Sequence, residues 1–312
     1  MHNLIIFDDR FGIHTSLTQI MGIFEYLIKN KNFKQINLSE IIGQPDVHHL
    51  FINKFAELPK NIIFWYNKFF DLNLQALPKS INIHLLIDDI HQEYDDHSKT
   101  LNILKQSKNI FASYAYLFNT FYPEIIDTNV IFFPHSTRFI ADFNDTPINK
   151  ILVSGRLHHK IYPDRQKLYE LSKTNNQKID YLNVNVGYRI KKDHPNLIYG
   201  DRYIHYLNKY LVCFTCESNR AYLLKKFFEI PASGSLLLTI NPFTKKYFVE
   251  LGFVDGVHYL SATNDNIEEK INFVLDPVNR NIIDTIRKNG YELVKTKHTH
   301  VNRAEFLNNI IN

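Results

Sequence analysis

Residues 225–239 read Lys225-Lys226-Phe227-Phe228-Glu229-Ile230-Pro231-Ala232-Ser233-Gly234-Ser235-Leu236-Leu237-Leu238-Thr239. The order is the end of an amphipathic helix, a glycine turn, then an apolar run with the pattern of a buried strand. Glu229 falls one turn before Pro-Ala-Ser-Gly, at the close of the predicted helix. Element ends in open α/β domains tend to face a ligand crevice. A carboxylate there is either a surface charge or a ligand group.

Working outward, the same alternation of helix and strand fills the chain. Towards the N-terminus, strands are predicted at Asn3 to Phe7, Phe33 to Leu38, Asn61 to Trp65, Ile81 to Ile87, Asn109 to Ala112 and Val130 to Phe133. Helices are predicted from Leu17 to Ile28, Val47 to Glu57, Ser98 to Lys105 and Ser113 to Phe121. The stretch Pro134 to Asn149, with Asp142, Asn144, Asp145 and Pro147, breaks the pattern and reads as a link between domains. The alternation then restarts. Strands are expected at Lys150 to Ser154, Asp180 to Val184, Leu211 to Thr215 and Ser235 to Ile240. Helices are expected at Tyr162 to Thr174, Ile204 to Tyr210, Ala221 to Phe228, Thr244 to Glu250, Ile267 to Leu275, Pro277 to Val294 (with a break near Gly290) and Val301 to Ile311. Short apolar strands alternating with helices predict parallel sheets covered on both faces. The expectation is α/β: two doubly wound, Rossmann-like domains, residues 1–140 and 150–312, facing across a cleft, with the last helix free to pack back on the first.

Composition bounds the function. At 312 residues, 45% hydrophobic and 14% aromatic, the chain can fill two cores. A net charge of +4 over this length suits small anionic ligands and does not demand nucleic acid. No basic segment precedes a long apolar stretch, and no membrane-length apolar run exists, so the expectation is a cytoplasmic protein without a membrane span. The two cysteines, Cys213 and Cys216, form a lone C-x-x-C in an apolar run. On a strand they point to opposite faces, which favours buried thiols over redox chemistry or a zinc site.

In doubly wound domains the loops after the strands hold the ligand. Ser154-Gly155-Arg156-Leu157-His158-His159-Lys160 ends a strand on glycine and carries two cations to the mouth of a helix. Helix N-terminal amides already favour anions, so this loop is a phosphate site or a solvated basic loop. Asp88-Asp89-Ile90-His91 follows another strand; the acidic pair suits sugar or acceptor contacts, a metal, or a helix start. His135 leaves the last strand of the first domain, either to orient a substrate or to cap the strand. Gly12 and His14 follow the first strand without a Gly-x-Gly-x-x-Gly pattern, which weakens any dinucleotide reading.

Phe227 to Thr239 resembles the FEIPA-x-G-x-LLT signature of GT-B glycosyltransferases, in the CgeB-like group related to glycosyltransferase family 4. The likeness spans Ile151 to Leu307 and is thin in the first domain. It implies a GT-B fold and transfer of a sugar from a nucleotide-sugar donor to an unknown acceptor, retaining and metal-independent, with no cofactor. Glu229 is then the residue that binds the donor ribose. Gly155, Arg156 and Lys160 resemble the donor-phosphate loop, and Tyr-Pro-x-Arg brings Arg165 to it. Ser233 and Gly234 lie where the backbone approaches the nucleotide, or form only a turn. The family's first glutamate of an E-x7-E pair falls on Ala221, so its role is missing or moved to Glu217. Asp88, Asp89 and His91 resemble a DD-x-H loop, and His135 a hinge loop; these four are the implied catalytic residues. Gly12 and His14 are the acceptor or sugar side. His298-Thr299-His300 with Arg303 and Ala304 resembles the family's packing tail. Two rivals remain: a catalytically silent nucleotide-sugar-binding protein, and a transferase acting on a DNA base. The latter needs a Lys/Arg stripe that the first domain's scattered lysines do not make, so nucleic acid is an unlikely partner.

Overall fold

The computed structural model describes residues 1–7, 18–66, 77–91, 97–184, 198–240 and 242–312. They fall into two compact units. One takes the described residues within Met1–Gly12, Ile20–Pro134 and Arg303–Asn312, the other those within Ile13–Gln19 and His135–Asn302.

The first unit holds strands β1 (Asn3–Phe7), β2 (Lys34–Asn37), β3 (Asn61–Tyr66), β4 (Asn82–Ile87), β5 (Asn109–Ala112) and β6 (Asn129–Phe132). Their spatial order is β2-β1-β3-β4-β5-β6, and every neighbouring pair is parallel. β3 and β5 are buried along their whole length, which is why they read as unbroken apolar runs. The helices are α1 (Thr18–Asn30), α2 (Leu38–Ile41), α3 (Val47–Phe55), α4 (His97–Lys105) and α5 (Phe118–Phe121). On α1 the helical spacing buries Ile20, Ile23, Phe24 and Leu27.

A row of amides crosses this sheet near the amino ends of its strands. Asn3 Nδ2 donates to Asn312 Oδ1 (2.9 Å), and Asn61 Nδ2 donates to Asn3 Oδ1 (2.8 Å). Asn82 Nδ2 donates to Asn61 Oδ1 (3.0 Å), which also meets His84 Nε2 (3.1 Å). Asn109 Nδ2 meets His84 Nδ1 (3.0 Å), and Asn129 Nδ2 donates to Asn109 Oδ1 (3.0 Å). The chain of donors is consistent only if His84 carries its proton on Nε2. Burial lowers the His84 pKa to about 4, so the ring is neutral.

The second unit holds β7 (Ile148–Ser154), β8 (Ile179–Leu182), β9 (Tyr210–Phe214), β10 (Leu236–Ile240) and β11 (Leu260–Ala262), in the order β11-β10-β9-β7-β8 and all parallel. Its helices are α6 (Pro163–Thr174), α7 (Gly200–Leu207), α8 (Lys226–Ala232), α9 (Lys245–Glu250), α10 (Ile267–Leu275) and α11 (Arg280–Lys297); α12 (His300–Ile311) follows. One sheet face packs Val153, Phe214 and Leu238 against Leu168, Ile271 and Ile283; the other packs Leu152, Cys213 and Leu237 against Leu207, Phe227 and Phe248. Cys213 and Cys216 belong to different clusters and are both free and buried.

Several expected elements shift. The helix predicted over Ala221 to Phe228 starts only at Lys226 and runs on to Ala232, through Pro231. Ala221 adopts a left-handed φ of 57°, which a helix interior excludes. Tyr210 opens β9 and does not end a helix. The expected break near Gly290 is absent: α11 continues through it, and the glycine is needed because a Cβ would press on the His258 carbonyl. β11, three residues long, was not expected.

Candidate functional site

In sheet order β7 lies between β8 and β9, so consecutive connections leave it in opposite directions. Doubly wound sheets bind ligands at the carboxyl ends of strands at this switch point. Here that place is the loops after Ser154 and Phe214.

Gly155 ends β7 with a φ of 113°, open to glycine and strained for other residues. A Cβ there would lie 3.3 Å from Arg165 Nη1 and would collide with Lys226 Nζ. The main chain thus turns between two cationic side chains. Arg165, from the first turn of α6, is only 3% exposed. Its Nη1 donates to the Arg156 carbonyl (3.0 Å) and its guanidinium lies over the Tyr162 ring (4.1 Å), while its Nε is buried without a hydrogen-bond partner among the described residues. Lys226, from the start of α8, donates from Nζ to the Ser154 carbonyl and lies 5.8 Å from the Tyr203 ring centroid. Among the described residues no carboxylate pairs with either cation. Two basic side chains this close, with no carboxylate paired to either, can hold an anion, because each raises the cost of charging the other unless a negative charge joins them.

Beside them the sheet offers hydroxyls. Val153 pairs with Phe214 and Phe214 with Leu238, so Ser154, Thr215 and Thr239 come next, abreast on three strand ends. Ser154 Oγ bonds Tyr203 OH at 2.7 Å. The hydroxyls of Thr215 and Thr239 are buried without a partner among the described residues.

Glu229 lies in the first turn of α8, not at its close. α8 leaves the carboxyl end of β9, so its first turn is on the ligand side. Glu229 pairs with Lys225 (2.9 Å), and Lys225 Nζ also donates to Thr18 Oγ1 (2.9 Å). Ser233 and Gly234, expected beside the nucleotide, are corrected: they precede Leu236, at the amino end of β10. That end is one strand length away from Gly155. Ser233 Oγ donates to Ile230 O (2.6 Å), and Gly234, at φ 79°, stops α8 while its carbonyl accepts from the buried Arg287 (2.9 Å). Their work is the helix stop. Glu217 is at the right end of the sheet but serves as a brace: its two oxygens accept from Phe243 N (2.8 Å) and Thr244 N (2.9 Å), tying the loop after β9 to the start of α9.

Arg156 and Lys160 are exposed and make no side-chain hydrogen bond or ion pair among the described residues. The cations at Gly155 are instead Arg165, which was expected, and Lys226, which was not. The doublet Lys225-Lys226 looks like a solvated charge run; only the closeness of Gly155 shows that Lys226 folds inward.

His135 is buried, and its Nδ1 meets Gln19 Nε2 at 2.6 Å while Gln19 Oε1 accepts from Ser136 N at 2.9 Å. In the first unit Asp88, Asp89 and His91 follow β4, at the carboxyl end of its sheet. No group of three His, Cys, Asp or Glu placed to hold a metal occurs among the described residues. Gly12 and His14 lie outside the described residues. No helix among those described is long and apolar enough to cross a membrane.

Residues 162–309 match the family described as "Glycosyl transferase-like". Among solved structures, sucrose-phosphate synthase from Thermosynechococcus elongatus is similar with a TM-score of 0.57, 10% identity, and coverage of 99% of this chain and 98% of that one. HepE of Anabaena in complex with UDP gives 0.52, 11%, 100% and 99%. The pneumococcal O-GlcNAc transferase GtfA in complex with UDP and GlcNAc gives 0.52, 13%, 84% and 58%, so this chain spans little more than half of GtfA. No curated protein matches in sequence. The fold is GT-B, and residues 162–309 are similar to the glycosyl transferase-like family.

Proposed function

We propose that the chain transfers a sugar from a nucleotide-sugar donor to an acceptor. The observation that carries this is the pair of basic side chains, Arg165 and Lys226, flanking Gly155 at the switch point of the second sheet. In this reading the donor's diphosphate joins them, and the Thr215 and Thr239 hydroxyls and Glu229 stand close by on the same strand and helix ends. UDP in HepE and in GtfA supports a uridine nucleotide as the first donor to try.

The chemistry follows from charge. As the sugar–phosphate bond breaks, negative charge grows on the diphosphate, and fixed cations stabilise the leaving group more than the bound donor. The transition state at the sugar carbon is oxocarbenium-like. Transfer proceeds without a metal ion or cofactor, the two cations acting where a divalent ion otherwise would, and with retention of configuration by the resemblance. Asp88, Asp89, His91 and His135 are the residues whose substitution tests the acceptor and sugar chemistry. A thermal-shift screen with UDP-, GDP-, ADP- and TDP-sugars tests the donor class: a ligand at 100-fold its Kd adds about 2.7 kcal/mol. Stabilisation by one of them, with donor hydrolysis or transfer insensitive to EDTA, is expected. No response to any of the four would overturn the reading, and binding without turnover would make the chain a sugar-nucleotide binder.

A further inference from the structure

The charges around Lys226 are out of balance. Among the described residues, Arg165 faces it from α6 and Glu229 from its own helix; Cys213 on β9, Cys216 beyond β9 and the Tyr203 ring on α7 also act on it. Among the described residues the carboxylate that acts on it, Glu229, is engaged by Lys225. Cys213 and Cys216 are pushed up by burial, Cys213 to about 12, and Tyr203 is pushed up likewise, so none of them supplies negative charge. The Ser154 carbonyl accepts as well from a neutral amine as from an ammonium.

We infer that donor binding brings a proton with it: Lys226 is a neutral amine in the empty site and becomes an ammonium when the donor's diphosphate arrives. The inference rests on the donor reading above. The proton comes from the buffer, and no covalent bond forms or breaks. A nucleotide-sugar's diphosphate is doubly esterified and has no proton to exchange near neutrality, so the uptake belongs to the protein. Burial, then the charge of Arg165, hold the Lys226 amine well below the usual lysine range. Two negative charges beside it reverse both effects. Between the amine's values in the empty and the filled site, affinity falls about tenfold for each pH unit gained.

The test is calorimetric titration of the full chain with UDP-glucose, GDP-mannose and ADP-glucose at about pH 8.5, where histidines are neutral. Each is run in Hepes and in Tris, whose heats of ionisation differ. For whichever donor binds, the two enthalpies are expected to differ by close to one proton taken up. Lys226→Arg, always charged, is expected to bind donor with that uptake gone. Lys226→Met is expected to lose at least tenfold in affinity together with the uptake. Equal enthalpies in the two buffers would overturn the inference and leave the donor site standing, and so would an uptake that persists in Lys226→Arg. If none of the three donors binds, the donor reading and the inference fall together.

Discussion

At Gly155 three side chains decide whether a donor can be held. Gly155→Ala places a methyl against Arg165 and Lys226 on a backbone that disfavours it. Donor binding is expected to drop below detection while the fold persists, checked by calorimetry beside circular dichroism. Arg165→Met should lower kcat/KM far more than Arg156→Ala, because Arg165 is buried beside Gly155 and Arg156 points to solvent. Steady-state kinetics on both variants decide it; the reverse order would return the phosphate role to the exposed loop. For Glu229→Gln the charge is lost while the shape is kept. A hydrogen bond to a charged group contributes roughly 1.5–3 kcal/mol, so donor affinity should fall about 10- to 100-fold. An unchanged Kd would leave Glu229 as only the partner of Lys225.

At the scale of elements, the amide row across the first sheet makes stability depend on acid. His84 is neutral in the fold with a pKa of about 4, whereas an unfolded histidine titrates near its ordinary value. The unfolded chain therefore binds the extra proton between about pH 6.5 and 4, and stability falls as pH drops through that window. The loss amounts to about 3 kcal/mol at most. Urea unfolding of wild type and His84→Gln across this range is expected to show the slope only in wild type. The strands carrying this row were readable in the sequence because they are short apolar runs: Asn3–Phe7 and Asn109–Ala112 match their expected bounds. Helix α8 was misplaced because helical spacing continues back to Ala221, and nothing in the letters shows that residue's left-handed turn. The same error put Glu229 at the wrong end of its helix, yet beside the right strand. Ser233 and Gly234 follow Glu229 closely in the chain; their position before β10, at the amino end, is a matter of topology that local sequence does not carry. Lys226 was invisible for a different reason, since lysine is rarely placed inward and its neighbours Gly155 and Arg165 are distant in the chain.

For the whole molecule, the last ten residues matter to the first unit. Arg303 Nε donates to the Pro134 carbonyl (2.9 Å), Glu305 binds Lys31 (2.8 Å) and Tyr26 (2.5 Å), and Asn61 Nδ2 donates to the Ile311 carbonyl (3.3 Å). Removing Arg303–Asn312 is expected to speed amide exchange in β1 and β3 while leaving β7, β9 and β10 as protected as before. Hydrogen exchange followed by mass spectrometry reads this directly; equal loosening of both sheets would show that the tail serves the molecule as a whole.

The tail also sets an order of events on the ribosome. Every described residue assigned to the second unit precedes Arg303, so that unit has all its parts once Asn302 clears the exit tunnel. The first unit lacks Arg303–Asn312, which reach Asn3 and Asn61, until those residues emerge. During translation the later-made half matures first, and the earlier-made half waits with its sheet incomplete along Asn3 and Asn61. On a nascent chain the amino end of the first sheet at Asn3 and Asn61 thus stays open until Ile311 and Asn312 reach it.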